Sequence, residues 1–172
     1  MKNILTLFIL AALIVSCGND KKEKEAENIT TYYLIRHAEK DRSNPSDRNP
    51  KLSEAGIKRA ENWNTHLKDV EFDMVYSTDY FRTRLTAEPI AKRIGKDITI
   101  YDPRDMANDD FMNATKNKTI LVVGHSNTTP VFANKLVGEN KYEMIADNNN
   151  SNLYIVTITA EGEVLSELKV ID

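Results

Sequence analysis

The sequence predicts an α/β fold of three layers, with a mainly parallel central sheet between two layers of helices in a single domain. Two observations carry this expectation. Runs of β-branched and aromatic residues alternate with segments of helical spacing, the order that builds parallel sheets covered on both faces. Three polar clusters, Arg36-His37, Ser77 through Arg82 and His125-Ser126, each follow directly on such a run. Ligands of open sheets bind beyond the carboxyl ends of the strands, so clusters placed there are candidates for one shared site. A chain of 172 residues with 41% hydrophobic and 28% charged positions can bury one core without splitting.

Thr30 to Ile35 fits a first buried strand that ends at Arg36-His37. Asn44 to Pro50, with two prolines, reads as a loop, and Leu52-Ser53-Glu54 as a staple and N-cap opening a helix. Ile57, Ala60, Trp63, Asn64 and Leu67 then recur at helical spacing, with Asn64 the polar exception. Phe72 to Tyr76 fits a second strand, Ser77-Thr78-Asp79 a turn or cap, and Phe81, Leu85, Ile90 and Ile94 a second helix closed by Gly95. Pro89 either begins a new segment of that helix or sits at a kink, because proline removes one hydrogen bond. Ile98 to Tyr101 is a third strand, and the polar stretch that follows has room for a short helix around Met106 to Ala114. Thr119 to Val123 is the most strand-like run, followed by a helix capped by Thr128 or Thr129, with Pro130 in its first turn and Gly138 at its end. Leu153 to Thr159 and Val164 to Val170 form a final hairpin, an antiparallel edge to the sheet.

The domain is expected to span residues 29–172. Ahead of it, Lys2 precedes an apolar run from Ile4 to Val15, the length of a signal peptide and too short to span a bilayer. Ile14-Val15-Ser16-Cys17 resembles a bacterial lipobox, which implies a signal peptide over 1–16, lipidation of Cys17 and a lipid-anchored place in the bacterial cell envelope, on its periplasmic or surface face. Several acyl chains on one residue, at about 0.8 kcal/mol per buried methylene, would make that anchor stable. Residues 17–28 are small and charged and read as a flexible tether. Cys17 is the one cysteine, so no internal disulfide is available. The formal charge of −3 advertises no basic surface, and nucleic acid is not an expected partner.

Phosphoryl transfer needs a positioned nucleophile, positive charge on the equatorial oxygens and a proton for the leaving group. Arg36 and Arg82 offer planar forks that match phosphate oxygens, and His37 offers an imidazole nitrogen as nucleophile. Two nearby guanidiniums should keep His37 neutral. His125 can donate a hydrogen bond to the phosphoryl group, with Ser126 and the start of the next helix adding donors. The histidines at 37, 66 and 125 lack metal-ligand spacing, so no metal or cofactor is expected, and His66 reads as a plain helix-face residue.

Leu34-Ile35-Arg36-His37-Ala38-Glu39, the stretch from Tyr76 to Glu88, and Val122-Val123-Gly124-His125-Ser126-Asn127-Thr128 together resemble the histidine phosphatase superfamily, also called phosphoglycerate mutase-like. Leu52-Ser53-Glu54-Ala55-Gly56 is similar to that family's helix opening. The resemblance implies a metal-independent phosphatase of the short type. His37 would carry a phosphohistidine intermediate, and Arg36, Arg82, His125 and Ser126 would hold the phosphate. No carboxylate follows Ser126, where Asn127 stands, so Asp102 is the first candidate for proton donor and Asp105 the second. Asp102 equally fits the start of a turn before Pro103. Ser43 stands where mutases place a phosphate-binding asparagine, and the short link between third and fourth strands leaves no room for the mutases' substrate-enclosing insertion. The expected substrates are therefore phosphorylated small molecules, envelope sugars or protein side chains. The competing reading is a non-catalytic envelope lipoprotein that binds a phosphorylated ligand.

Overall fold

The computed structural model describes residues 28–171. The signal peptide, Cys17 and the tether other than Asn28 lie outside the described residues. Among the described residues, six strands and four helices follow one another as β1 (Thr30–Arg36), α1 (Glu54–His66), β2 (Met74–Ser77), α2 (Phe81–Ile94), β3 (Ile98–Ile100), α3 (Asp109–Thr115), β4 (Thr119–Gly124), α4 (Thr128–Val137), β5 (Asn152–Ile158) and β6 (Val164–Val170). They form one sheet in the order β3-β2-β4-β1-β5-β6. The first four strands pair in parallel, while β5 runs antiparallel to β1 and β6 to β5. The architecture is the three-layer α/β single domain that the alternating pattern predicts.

Side-chain alternation along the strands explains the two layers of helix. Tyr32, Leu34, Ile120, Val122, Tyr154 and Val156 point to one face, where Phe111 of α3 and Phe132, Ala133 and Leu136 of α4 cover them. Ile35, Val75, Leu121, Val123 and Leu153 point to the other, under Trp63 of α1 and Ala87, Ile90 and Ala91 of α2.

The details depart from the sequence reading in instructive places. Ile57, counted on the buried stripe of α1, is 56% exposed. The inward stripe is instead Gly56, Ala60, Trp63 and Leu67, because Gly56 packs so closely on the Glu39 carbonyl that a Cβ there would lie 2.1 Å from its oxygen. Pro89 sits inside an unbroken α2 and starts no second segment. The short third helix starts at Asp109, capped by the Asn108 side chain on Phe111 N–H, and leaves Met106 ahead of it as a core residue. Thr128 and Thr129 are both inside α4; its N-cap is Asn127, which makes no side-chain cap bond. Ser53 caps α1 as expected, accepting from Gly56 N–H, and Gly95 and Gly138 close α2 and α4 in the left-handed region.

Candidate active site

The strand order brings the polar clusters together. β4 lies between β2 and β1, all three parallel, so their carboxyl ends are adjacent. Arg36 pairs with Gly124 and Ser77 with Val123 in register, and the ladder runs on into the loops through His37 N–H to Gly124 O at 2.9 Å and Tyr101 N–H to Ser77 O at 3.0 Å. Gly124 keeps this crossing tight: a Cβ would fall 2.8 Å from Thr129 Oγ1 and 2.9 Å from the Tyr101 hydroxyl, and would push those side chains aside.

His37 is 4% exposed. Its Nδ1 lies 2.7 Å from the Ala38 carbonyl, which can only accept, so Nδ1 carries the proton and Nε2 keeps its lone pair. The backbone on either side is held as firmly. Ala38 N–H donates to Thr86 Oγ1 at 2.9 Å, Thr86 Oγ1 donates to Arg82 O at 2.7 Å, and Asn150 Nδ2 donates to His37 O at 2.7 Å. The imidazole pKa is pushed down to about 3, chiefly by burial, with the charges of Arg36 and Arg82 adding to it against the opposing Ala38 hydrogen bond. The direction is the one expected from two guanidiniums, but desolvation is the larger cause.

His125 stands across from His37, ring centroids 5.5 Å apart at 68°. Its Nε2 is 2.9 Å from Thr78 Oγ1 and its Nδ1 is 3.5 Å from Arg82 Nη2, which can only donate. Nε2 therefore holds the ring proton and donates to Thr78, whose hydroxyl donates to Thr83 Oγ1 at 3.0 Å. Burial, then Arg82, Arg36 and Lys40, lower the His125 pKa to about 4. Tyr80 sets its ring edge-on to His125 at 5.0 Å and its face under the Arg82 guanidinium at 4.3 Å.

The two arginines are not equivalent. Arg36, 2% exposed, gives Nη1 to the carbonyls of Ala146, Asp147 and Asn149 at 2.9, 3.1 and 2.8 Å, and Nη2 to Asp147 Oδ1 at 3.1 Å. Only its Nε is buried without a partner, whereas both Nε and Nη1 of Arg82 are. Buried N–H donors left unpaired cost about 1–3 kcal/mol each, so an anion that meets them is strongly favoured.

These side chains line a cavity of about 340 Å³ with Ser126, Asn127 and Thr128 at the start of α4, and with Lys40 and Asp147. A second hollow of about 440 Å³ continues past Arg36 and His37 to Lys40, Arg42, Asp147 and Asn150. Asp102 borders neither. It lines a neighbouring cleft, which shares Tyr80 and Pro103 with the cavity, and its carboxylate accepts Arg104 N–H at 2.9 Å and Arg104 Nη2 at 2.6 Å, which hold its pKa down to about 2. That is the turn-starting geometry. Asp105 accepts from Asn108 Nδ2 at 2.9 Å and also borders neither cavity. Ser43 lies in a hollow with Asp41 and Asn44, and His66 is exposed in the last turn of α1. Among the described residues, no three or more His, Cys, Asp or Glu side chains are grouped to hold a metal ion, and no helix is long and apolar enough to cross a membrane.

Over residues 32–104 the chain matches the histidine phosphatase superfamily, branch 1. That span takes in Arg36, His37 and Arg82. Comparison with curated protein sequences gives no match. Solved structures share the fold of this chain. A protein of Agrobacterium tumefaciens assigned as the phosphohistidine phosphatase SixA aligns at TM-score 0.56 and 22% identity, over 83% of this chain and 96% of its own. A mycobacterial glucosyl-3-phosphoglycerate phosphatase aligns at 0.61 and 13%, over 83% and 98%. Phosphoglycerate mutase of Bacillus anthracis aligns at 0.63 and 17%, over 84% and 94%. The fold shared with these structures thus covers 83–84% of the chain and reaches beyond the matched span.

The sequence reading passed over Lys40, Thr86, Asp147 and Asn150, and gave Thr78 and Tyr80 no task of their own within the cluster from Ser77 to Arg82. Thr78, Tyr80 and Thr86 lie within the second motif, where the arginine drew attention. Asp147 and Asn150 belong to the polar run Asp147-Asn148-Asn149-Asn150, which carries no spacing signal.

Proposed function

We propose that the domain is a phosphatase in which His37 takes the phosphoryl group of a phosphomonoester or phosphorylated protein side chain as a phosphohistidine, which water then hydrolyses. The observation that carries this reading is that His37, whose Nε2 keeps its lone pair because Nδ1 donates to the Ala38 carbonyl, lines one cavity with His125, Arg82 and Arg36. In-line attack leaves charge on the equatorial oxygens, and Arg82, with Arg36 Nε, offers N–H donors for it. His125 joins them by turning its ring proton to Nδ1 while Thr78 Oγ1 becomes the donor to Nε2, a reversal the Thr78–Thr83 pair permits. The neutral state of both imidazoles lets one attack and the other donate a single hydrogen bond.

The named structures are of a phosphohistidine phosphatase, a glucosyl-3-phosphoglycerate phosphatase and a phosphoglycerate mutase, and the open cleft suits a phosphorylated side chain or a phosphorylated small molecule. The lipobox-like stretch supports placement in the cell envelope through lipid on Cys17. The alternative, a lipoprotein that binds phosphorylated ligands without turnover, is separated by one assay. The protein is incubated with p-nitrophenyl phosphate in excess chelator beside His37→Ala. Turnover by the parent and its loss in the variant are expected. Equal rates in the two would refute nucleophilic His37, and phosphate binding without turnover would favour the alternative.

A further inference from the structure

We propose that Asp147 is the proton donor and acceptor of the phosphoryl-transfer cycle, a role that rests on the phosphatase reading above. Asp147 is the carboxylate residue lining the cavity that holds both imidazoles and Arg82, and it also lines the adjoining hollow, so it stands where the two meet. Its side chain is 71% exposed and can exchange protons with solvent between turnovers.

The loop that carries it is fixed at both ends to the catalytic strands' loops. Ile145 N–H donates to Ser126 O at 2.9 Å, and Asn150 Nδ2 to His37 O at 2.7 Å. Between these points Arg36 Nη1 gathers the carbonyls of Ala146, Asp147 and Asn149. Arg36 therefore spends much of its fork on presenting this loop to the cavity.

At rest Asp147 is ionised. Burial raises its pKa, but hydrogen bonds and charge from Arg36 and Arg42, with Oδ1 at 3.1 Å from one and Oδ2 at 2.8 Å from the other, outweigh that and lower it. A phosphoryl group entering the cavity places negative charge beside the carboxylate and competes for Arg36. Both changes raise the pKa, so substrate binding loads Asp147 with a proton.

His37 Nε2 forms a bond to phosphorus, the P–O ester bond breaks with its electron pair on the leaving oxygen, and Asp147 gives that oxygen its proton. Water next attacks phosphorus, Asp147 takes a proton from it, and the N–P pair returns to Nε2 as phosphate leaves.

The test compares Asp147→Asn, Asp102→Asn and His37→Ala in the full chain on p-nitrophenyl phosphate, whose leaving group departs without a proton, and on glycerol phosphate, whose leaving group needs one. Asp147→Asn is expected to lose about 10²–10⁴-fold in kcat on the alkyl ester and less than about 10-fold on the aryl ester. Equal losses on both would mean that Asp147 only positions Arg36, and would overturn the proposal. So would a selective alkyl loss in Asp102→Asn with Asp147→Asn intact, or no loss at all in Asp147→Asn. If His37→Ala equals the parent on both esters, the phosphatase reading itself fails, and the inference with it.

Discussion

Replacing His37 by glutamine should change how stability depends on pH, in a direction the burial of the imidazole dictates. In the folded chain its pKa falls to about 3 from the ordinary 6.5, first through burial and then through Arg36, Arg82 and His125, with the Ala38 hydrogen bond opposing. The unfolded chain therefore binds a proton below 6.5 that the folded chain refuses. Stability from this group is complete above 6.5 and falls as the pH drops toward 3. At about pH 5 the penalty from His37 alone amounts to about 2 kcal/mol relative to about pH 8. Glutamine cannot titrate, so His37→Gln should lose about 2 kcal/mol less than the parent between those two conditions. With a urea slope of about 1–3 kcal/mol/M for a domain of this size, the difference is a midpoint change of about 1 M. Urea melts of both proteins at the two pH values measure it without any assumption about activity. His125, lowered to about 4, adds a similar loss to both proteins and cancels. Parallel pH dependences for the two proteins would refute the claim that His37 is held neutral by its surroundings.

Two further outcomes follow from the packing and the charge. Gly56→Ala should destabilise the domain by about 1–3 kcal/mol in thermal melts, because the new Cβ meets the Glu39 carbonyl at 2.1 Å. Helix propensity alone predicts the opposite sign by about 1 kcal/mol, so a raised midpoint would show that the contact is soft. Arg82→Lys should weaken inorganic phosphate binding by about 10–100-fold in calorimetry, since one ammonium replaces the buried Nε and Nη1 donors; an unchanged affinity would place the anion elsewhere.

The fold was legible because its signals are local and redundant. Thr30 to Ile35 and Thr119 to Val123 are continuous apolar runs of strand length, and each ends in a polar cluster. Parallel pairing of β1, β4 and β2 then leaves those clusters no place but one edge. What escaped depends on contacts distant in sequence. The exposure of Ile57 follows from Gly56 meeting Glu39, seventeen positions upstream, and neither residue's own neighbours reveal it. The same holds for Asp147, which lies 111 positions from the arginine it pairs with. Asp102 was drawn to attention by its position after the third strand, yet Arg104 two residues on captures its carboxylate.

Arg36 shows why a motif residue does not reveal its own task. As a sequence feature it is a phosphate fork, interchangeable with Arg82. In the fold its Nη1 meets three carbonyls and its Nη2 a carboxylate, so Nε and the second N–H of Nη2 are what remain for an anion. The guanidinium that meets three carbonyls reinforces a loop whose backbone is already closed by Asn149 N–H on Ala146 O at 2.9 Å, and a lysine with three divergent donors cannot hold that planar set. The charge that an anion meets must then come largely from Arg82 and from Lys40, which lines both hollows. Division of labour between the arginines follows: Arg82 grips the ligand, and Arg36 ties the end of β1 to the loop that brings Asp147 to the cavity.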